Sequence, residues 1–590
     1  MVALAIGLAF ADASIVALAL PDLYLEFGAS IPEVSWVLTS YAVAFVVAGL
    51  VTLAVVARFR SSALAALGAV VFAISSTIAG VAPTLLVLML ARIAQGAGAA
   101  ALVAGAFGVL VALLGDRRRA GRWWAAASVV GAAIGPALGG VVTELVTWRA
   151  VFLVQAPVAA LAAVAALSSA GRDGRAATIA AEERRPRRAA IADIALALTF
   201  AALVGALFLG VLLLVVVWGL SPIAAAVAVT ALPIGTLVAA RLTRVVAERR
   251  AALGGGVLLA GGLATLALLP AVQVLWTAMA LGLCGVGFGM MVGVLGPLAV
   301  PARSGVRAAT LTSSARHLGL VLGLAIIAPV LSADLLGAAE RAPLPATQAM
   351  LDAPVGGVTK VGLALDIRDE LAGSSTEMPD LDAVFDRHGA GDDEQVAGLQ
   401  HSVETGVQAV LTRAFRSSFA VAAGFALLAG LIGVAAFPRR GPPEGARRGR
   451  LAVLGAAIAV GVAVPMTAVA AGANDFGAVA LDDPCAAPPD PFPGSGFDAA
   501  AQRAVLSGLN GAACELDVSR EELVLSLEPR SGVEVEWDRD TIQDALRSGV
   551  DRAIDDADQR GTLPGLVAGP LRWMVARAPI SWFLEQFGVR

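Results

Sequence analysis

Residues 194–217 read IALALTFAALVGALFLGVLLLVVV, a run without a single charged side chain. An α-helix rises about 1.5 Å per residue, so about 20 apolar residues cross the roughly 30 Å hydrocarbon core of a bilayer. This run therefore predicts a transmembrane helix, and similar runs recur along most of the chain.

The recurrence of such runs predicts an all-α polytopic membrane protein. Several runs are separated only by short turns that contain proline or glycine, which is typical of helical hairpins. Thirteen spans are predicted, over residues 2–21, 34–57, 62–82, 84–114, 123–143, 148–168, 194–217, 221–240, 252–270, 272–297, 308–332, 415–437 and 451–472.

The composition of the 590-residue chain indicates the same class. Apolar residues make up 58% before the 64 glycines are counted, and charged residues make up 15%. Soluble domains have about 45–50% apolar residues with glycine included and about 25% charged residues. A water-soluble fold cannot bury so much apolar surface. The same figures exclude disordered, collagenous and nucleic-acid-binding classes.

Arginine placement predicts the orientation in the plasma (inner) membrane. Arginine-rich loops alternate with short loops that contain only Arg149. Because cytoplasmic loops are enriched in Lys and Arg, the N-terminus is predicted to be cytoplasmic. Residues 334–412 hold 14 acidic and 4 basic side chains, and residues 473–590 hold 20 and 10, so each segment has a net charge of −10. Both segments, and with them the C-terminus, are predicted to be extracytoplasmic.

This topology divides the chain into consecutive parts. The first span begins at Met1 without a basic flank and has Asp12 at its centre, unlike a signal peptide; a start site slightly upstream is expected. The predicted parts are an N-terminal six-helix half (1–168), a basic cytoplasmic linker (169–193), a C-terminal six-helix half (194–437) with the acidic insert 334–412, a basic cytoplasmic loop (438–450), a thirteenth helix (451–472) and a tail domain (473–590).

Five motifs in the first 160 residues occur in a recognisable order. Together they resemble the drug:proton antiporter branch of the major facilitator superfamily, which implies two six-helix halves and export by alternating access. The motifs are Asp12-Ala-Ser-Ile-Val-Ala-Leu-Ala-Leu-Pro21, Ser35-Trp36-Val-Leu-Thr-Ser-Tyr41, Arg92-Ile-Ala-Gln95-Gly96-Ala-Gly98, Gly131-Ala-Ala-Ile-Gly135-Pro136-Ala-Leu-Gly139-Gly140, and Trp148-Arg149-Ala-Val-Phe152 followed by Pro157.

Asp12 and Arg92 are the predicted proton-coupling residues. Ten residues into the first span, Asp12 lies about 15 Å deep, and Arg92 lies about 12 Å deep from the opposite side. Both therefore reach one layer near the midplane, where a charge usually faces a cavity or a partner. A static structural pair is the alternative interpretation.

Further intramembrane polar and aromatic residues are predicted to line the substrate cavity: Trp36, Tyr41, Gln95, Arg316 and His317. His317 is a candidate for titration near neutral pH. Interfacial anchoring explains Trp36 equally well, and neighbouring backbone groups are alternative partners for Arg316 and His317. Asp193, at the edge of the seventh span, is expected to be solvated.

Gly131, Gly135 and Gly139 repeat at intervals of four and so share one helix face. Such a stripe lets a neighbouring helix approach closely. Pro136 removes a backbone hydrogen bond within the stripe. Together with Gly140, these residues predict a hinge or a tight seal.

One departure from the family concerns its cytoplasmic gating motif. By alignment, Leu53, Ala57 and Arg60 stand at its first glycine, aspartate and second glycine, and Arg244 stands at the second copy's aspartate. Both gating carboxylates are therefore missing. This loss leaves open a non-transporting receptor or scaffold on the same fold, and an uptake symporter is a third alternative.

The acidic segments carry their own predictions. Cys485 and Cys514 form the one cysteine pair outside the membrane spans and predict a disulfide. Ser519 and Glu522 form a capping box, and an amphipathic helix is predicted over 540–560. Two segments of −10 should repel each other unless something bridges them, such as divalent cations or a basic extracytoplasmic partner.

The predicted function is proton-coupled secondary transport, as efflux of an amphipathic, drug-like or lipid-like compound. No histidine follows His401, so the tail cannot hold a Ser-His-Asp triad, and no phosphate loop or Cys/His metal spacing occurs. No enzymatic activity, catalytic residue, cofactor or metal site is predicted. The expected partners are a small-molecule substrate, protons and the lipid bilayer.

Overall fold

The computed structural model describes two compact units. A transmembrane unit comprises Met1–Leu335 and Thr412–Phe476, and an acidic unit comprises Leu336–Leu411 and Gly477–Arg590. Regular structure in the described residues is helical. Those residues are 1–55, 58–169, 186–244, 246–269, 273–300, 305–373, 381–390, 393–438, 447–470, 478–479, 481–486, 492, 496–526, 537, 539–563 and 565–575.

The helices of the transmembrane unit follow one another with short breaks. Two of them cross the boundary between the units. Helix α14 continues past Leu335 to Arg341, and α18, Glu394–Ala414, begins in the acidic unit and ends in the transmembrane unit. The others are α1 Val2–Ala17, α2 Leu20–Phe27, α3 Ile31–Val55, α4 Ser61–Gly80, α5 Leu85–Leu114, α6 Arg117–Leu145, α7 Trp148–Leu153, α8 Gln155–Ser168, α9 Arg187–Val211 with a π-helical turn Leu212–Val217, α10 Pro222–Val229, α11 Ala231–Leu242, α12 Glu248–Ala267, α13 Val274–Ala299, α14 Val306–Arg341, α19 Arg416–Ala435 and α20 Arg447–Ala470.

Eleven helical stretches among the described residues are long and apolar enough to cross a membrane, and α1 with α2 makes a twelfth if the pair is one span. The predicted first span is thus broken, because α1 and α2 meet at 54°. Pro21, in the first turn of α2, has no backbone N–H to continue the hydrogen bonding of α1.

The thirteenth span stays a prediction. Helix α20 covers residues 451–470 of the predicted span, and its 24 residues would extend about 36 Å. Its described apolar part, Ala459–Ala470, is shorter than a span. Close backbone contact holds α20 against α12, since a Cβ on Gly261 would lie 2.1 Å from the carbonyl oxygen of Gly461.

The acidic unit has a core in each of its two chain segments. In the insert, Val355, Leu363 and Phe385 belong to one buried cluster, and in the tail Ala513 and Leu523 belong to another. The helices are α15 Pro343–Asp352, α16 Gly357–Gly373, α17 Leu381–Arg387, the first part of α18, α21 Phe497–Glu515, α22 Arg520–Ser526, α23 Arg539–Gln559 and α24 Gly565–Val575.

Two local predictions for the tail are confirmed. The backbone N–H of Ser519 donates to Glu522 Oε2 at 3.0 Å, and the Glu522 N–H donates to Ser519 Oγ at 3.1 Å, which is a capping box. The helix predicted over 540–560 is α23. Besides these two features, a disulfide joins Cys485 and Cys514, whose Cα atoms are 4.9 Å apart.

The insert and the tail are held together by a buried arginine of the chain itself. Arg520, in the tail, is 1% exposed and forms an ion pair at 2.7 Å with Asp352 of the insert. Its Nε donates to Glu521 at 2.6 Å, and Asp482 lies 3.5 Å from its Nη2. Arg520 therefore supplies a bridge of the kind that the two acidic segments were expected to need, and the external cation or basic partner stays a prediction.

Candidate transport site

Asp12 of α1 and Arg92 of α5 form an ion pair at the centre of the transmembrane unit. Arg92 Nη1 lies 2.7 Å from Asp12 Oδ2, and both side chains are 0% exposed. Neither carboxylate oxygen, nor Arg92 Nη2, has a well-aligned hydrogen bond in the described part of the chain. The pair is therefore close but incompletely bonded, which is unusual for buried polar groups.

The rest of the Arg92 side chain is held by α3 and by its own helix, α5. Its Nε donates to the carbonyl oxygen of Val37 at 3.0 Å, and Nη1 donates to Gln95 Oε1 at 2.6 Å. The guanidinium carbon lies 4.4 Å from the ring centroid of Tyr41. Gln95 in turn donates to Ser76 Oγ at 2.7 Å. Arg92 is therefore the fixed member of the ion pair.

A cavity of about 70 Å³ has walls from both predicted halves. Phe10, Tyr41 and Pro136 come from the first half, and Phe200, Arg316 and His317 from the second. Because Tyr41 contacts both the cavity and Arg92, it connects this space to the ion pair. Ligand sites usually measure about 300–1,000 Å³, so this conformation is closed around the site.

His317 lies within an aromatic cluster at the cavity wall. Its ring stacks on Phe45 at 3.7 Å between centroids, with an interplanar angle of 11°. The ring centroids of Tyr41 and Phe10 are 6.0 and 5.9 Å away. His317 Nδ1 lies 2.9 Å from the carbonyl oxygen of Ser313, so in this contact Nδ1 carries the proton and donates it. This leaves Nε2 for other partners.

The structure corrects the placement of three predicted residues. Trp36 is 52% exposed and does not line the cavity, because five residues of helix rotate it by about 140° from Tyr41. Gln95 is buried in the Arg92 network instead of the cavity wall. Asp193, expected to be solvated, is buried and accepts a hydrogen bond from Thr312 Oγ1 at 2.9 Å.

The glycine stripe of α6 makes the predicted close approach to α1. A Cβ on Gly131 would lie 2.0 Å from the carbonyl oxygen of Gly7, and one on Gly139 would lie 2.4 Å from that of Ile15. Gly140 faces the second half, where its Cβ would lie 2.3 Å from that of Ala226 in α10. Gly135 is buried beside them. A seal fits this packing, while the hinge stays a prediction.

Other predicted features stay open or were missed. Ala57 of the gating motif lies outside the described residues, while Arg60 and Arg244 are exposed. Among the described residues no group of three His, Cys, Asp or Glu side chains could hold a metal ion.

Sequence reasoning missed Gln155, whose side-chain amide oxygen Oε1 lies 3.5 Å from Gln95 Nε2. Its polar amide inside an apolar run was the available signal.

Residues 2–325 match the profile of the Major Facilitator Superfamily. The chain belongs to this superfamily. Members of the superfamily similar to this chain include the puromycin resistance protein pur8 of Streptomyces alboniger, 38% identical over 156 residues, which are 26% of this chain and 31% of pur8. The cephamycin export protein CmcT of Amycolatopsis lactamdurans is 38% identical over 154 residues, 25% of this chain and 31% of CmcT.

The multidrug resistance protein Stp of Mycobacterium tuberculosis is 32% identical over 155 residues, 26% of this chain and 29% of Stp. The chain thus matches about a third of the length of these relatives. Among solved structures, a bacterial homolog of the human lysosomal transporter Spinster, inward-facing and unoccupied, has a TM-score of 0.51 at 15% identity. That comparison covers 75% of this chain and 98% of the homolog, and it establishes the major facilitator fold.

Proposed function

We propose that this membrane protein is a proton-coupled exporter of amphipathic compounds. The observation that carries the proposal is the buried Asp12–Arg92 ion pair, 2.7 Å apart and incompletely hydrogen-bonded, next to a cavity shared by both halves. The names of the relatives, for resistance and export, support efflux over uptake. The apolar cavity wall supports an amphipathic substrate.

In this mechanism Asp12 exchanges a proton while Arg92 stays charged. The Arg92 guanidinium favours the ionised carboxylate, and exclusion of water favours the protonated one. When the cavity opens outward, Asp12 takes up a proton; when it opens inward, hydration and Arg92 promote its release. Substrate that contacts Tyr41 competes with the proton for the same layer, so the two are exchanged by alternating access.

The experiment is transport by purified protein in proteoliposomes with an imposed pH gradient. Fluorescent amphiphiles with the same apolar body and a positive, neutral or negative head are the probes. We expect at least one to move against its gradient, in exchange for protons, and a protonophore to stop it. Binding without movement of any probe would instead support the receptor alternative, and co-movement with protons would support uptake.

Lys360 tests the proposed extracytoplasmic position of the acidic unit, since it is the only lysine in the chain. Burial lowers the pKa of its ammonium to about 8, against the attraction of Asp352 and Asp498. A membrane-impermeant acyl ester should label it on intact cells. The rate should be half-maximal near pH 8, because only the neutral amine reacts.

Peptide mapping separates Lys360 from the N-terminal amine, which the ester should reach only after lysis. Lys360→Arg should remove the signal. Asp498→Asn removes a carboxylate that favours the ammonium, so it should move the midpoint below that of the wild type. Labelling of Lys360 that requires lysis would show that the acidic unit is on the cytoplasmic side.

A further inference from the structure

Arg316 of α14 is a buried cation whose hydrogen-bonding capacity is unused. It is 4% exposed and lines the cavity. In the described part of the chain it makes no hydrogen bond and no ion pair, and its Nε is fully enclosed without a partner. Asp193, already bonded to Thr312, attracts it electrostatically from a greater distance.

Aromatic rings surround the guanidinium without satisfying its donors. Its central carbon lies 5.5 Å from the ring centroid of Phe200, 5.7 Å from that of Trp124 and 5.9 Å from that of Phe10. Such contacts contribute about 0.5–2 kcal/mol each, but they leave the five N–H groups of the guanidinium free to donate. Trp124 Nε1 is a second buried donor without a hydrogen-bond partner among the described residues.

The other side chains of the cavity wall determine which ligand groups besides an anion would bind there. Leu203, Leu207, Phe288, Leu320 and Leu324 make the cavity largely apolar. A carboxylate or phosphate matches a guanidinium with two parallel hydrogen bonds, whereas a cationic head would be repelled by Arg316. An apolar body attached to the anion would bury its surface against the leucine and phenylalanine side chains.

We infer that the cavity binds amphipathic organic anions, with the anionic head on Arg316 and the apolar body between the two halves. This inference rests on the proposed function, because it names the substrate class of the same cavity. At about 70 Å³ the closed cavity is far smaller than the roughly 300–1,000 Å³ of sites that hold such ligands. The ligand therefore enters when the halves separate.

The test is binding to the full-length protein in nanodiscs of zwitterionic phosphatidylcholine. Dansyl-labelled undecanoic acid is the reporter, and dodecanoate, dodecanol and dodecyltrimethylammonium, which share one chain length, compete with it. We expect dodecanoate to compete at concentrations at least tenfold lower than dodecanol, and the cation to compete least. Partition into the lipid is corrected with empty nanodiscs.

Variants of Arg316 test whether its guanidinium causes the preference for dodecanoate over dodecanol. Arg316→Gln should weaken dodecanoate competition about ten- to a hundredfold and leave dodecanol within about twofold, as expected for loss of a charge-assisted hydrogen bond. Arg316→Lys keeps the charge without the planar fork and should recover part of the preference. Arg249→Gln, which removes a partly exposed arginine at the start of α12, should change nothing.

The outcomes separate this inference from the proposed function. Equal competition by dodecanoate and dodecanol, or unchanged dodecanoate binding in a folded Arg316→Gln protein, would overturn the anion site. If Arg316→Gln does not fold, competition by dodecanoate, dodecanol and dodecyltrimethylammonium against the wild type and Arg316→Lys still tests the anion site. Proton-driven export of a cation that is insensitive to Arg316 would overturn the inference alone, whereas anion binding without proton-driven movement would overturn only the proposed function.

Discussion

Asp12→Asn is expected to abolish efflux driven by a pH gradient while leaving substrate binding within about twofold of wild type. Asparagine has the shape of the protonated aspartate but cannot exchange a proton. The amide oxygen can still approach Arg92 Nη1, which is 2.7 Å from Asp12 Oδ2 in the native pair, so Arg92 keeps a polar neighbour. The measurement is efflux from proteoliposomes with imposed pH gradients, together with binding in detergent-free nanodiscs.

Glu26→Gln is the matched control, because it makes the same chemical change at an exposed pair. Glu26 lies 2.5 Å from Arg149, and both side chains are substantially exposed. Glu26 also accepts a hydrogen bond from Trp148 Nε1, which the amide oxygen of glutamine can still accept. Exposed ion pairs contribute about 0–1 kcal/mol, so this variant should transport normally. Normal proton-driven efflux by Asp12→Asn would remove Asp12 from coupling and favour the static structural pair.

Arg92→Lys extends the argument to the fixed partner. Lysine retains the charge but cannot donate simultaneously to Val37 and Gln95 while facing Tyr41, as the guanidinium does. Coupling should therefore fall more than expression, and substrate movement should become less dependent on the pH gradient.

The second large effect concerns Arg520→Met, which is expected to destabilise the acidic unit by about 3–5 kcal/mol. Removing Arg520 leaves Glu521, which is 0% exposed, without its partner at 2.6 Å. It also removes the 2.7 Å ion pair to Asp352, which joins the tail to the insert. Unfolding of the full-length protein, followed by thermolysin cleavage within 336–411 and 477–590, measures the loss.

Two companion variants isolate the cause. Arg547→Met removes an exposed pair with Asp544 in the same unit and should cost less than about 1 kcal/mol. Combining Arg520→Met with Glu521→Leu removes the stranded charge and should recover much of the stability, because apolar replacements of buried pairs are often tolerated. Equal protease resistance of wild type and Arg520→Met would show that the ion pairs do not hold the two segments together.

Loss of the Arg520 bridge should also change the pKa of Lys360. Asp352 attracts both side chains, and water that enters around α15 and α16 would solvate the Lys360 ammonium. The midpoint of its acylation should then rise from about 8 towards the ordinary value of about 10.4. Labelling thus reports local opening of the acidic unit independently of proteolysis.

The sequence by itself determined the features that depend on one short segment and not on its neighbours in the fold. A helix in lipid has to be apolar along its own length, so hydropathy located the membrane helices from local composition. Fixed rise per residue also predicted that Asp12 and Arg92 reach one layer, and the structure has them 2.7 Å apart. The capping box at Ser519 was visible because its partners are three residues apart.

Only the tertiary structure decided which way side chains face and which distant segments meet. Asp193 is buried because α9 begins at Arg187 and α14 brings Thr312 to it, 119 residues away. Trp36 faces outward while Tyr41 faces the cavity, a choice that depends on where neighbouring helices pack. Arg520 binds Asp352 across 168 residues. Net charge predicted repulsion between these segments, but Arg520 lies 2.7 Å from Asp352 and 3.5 Å from Asp482, and attraction at these distances is stronger than the screened repulsion of more distant charges.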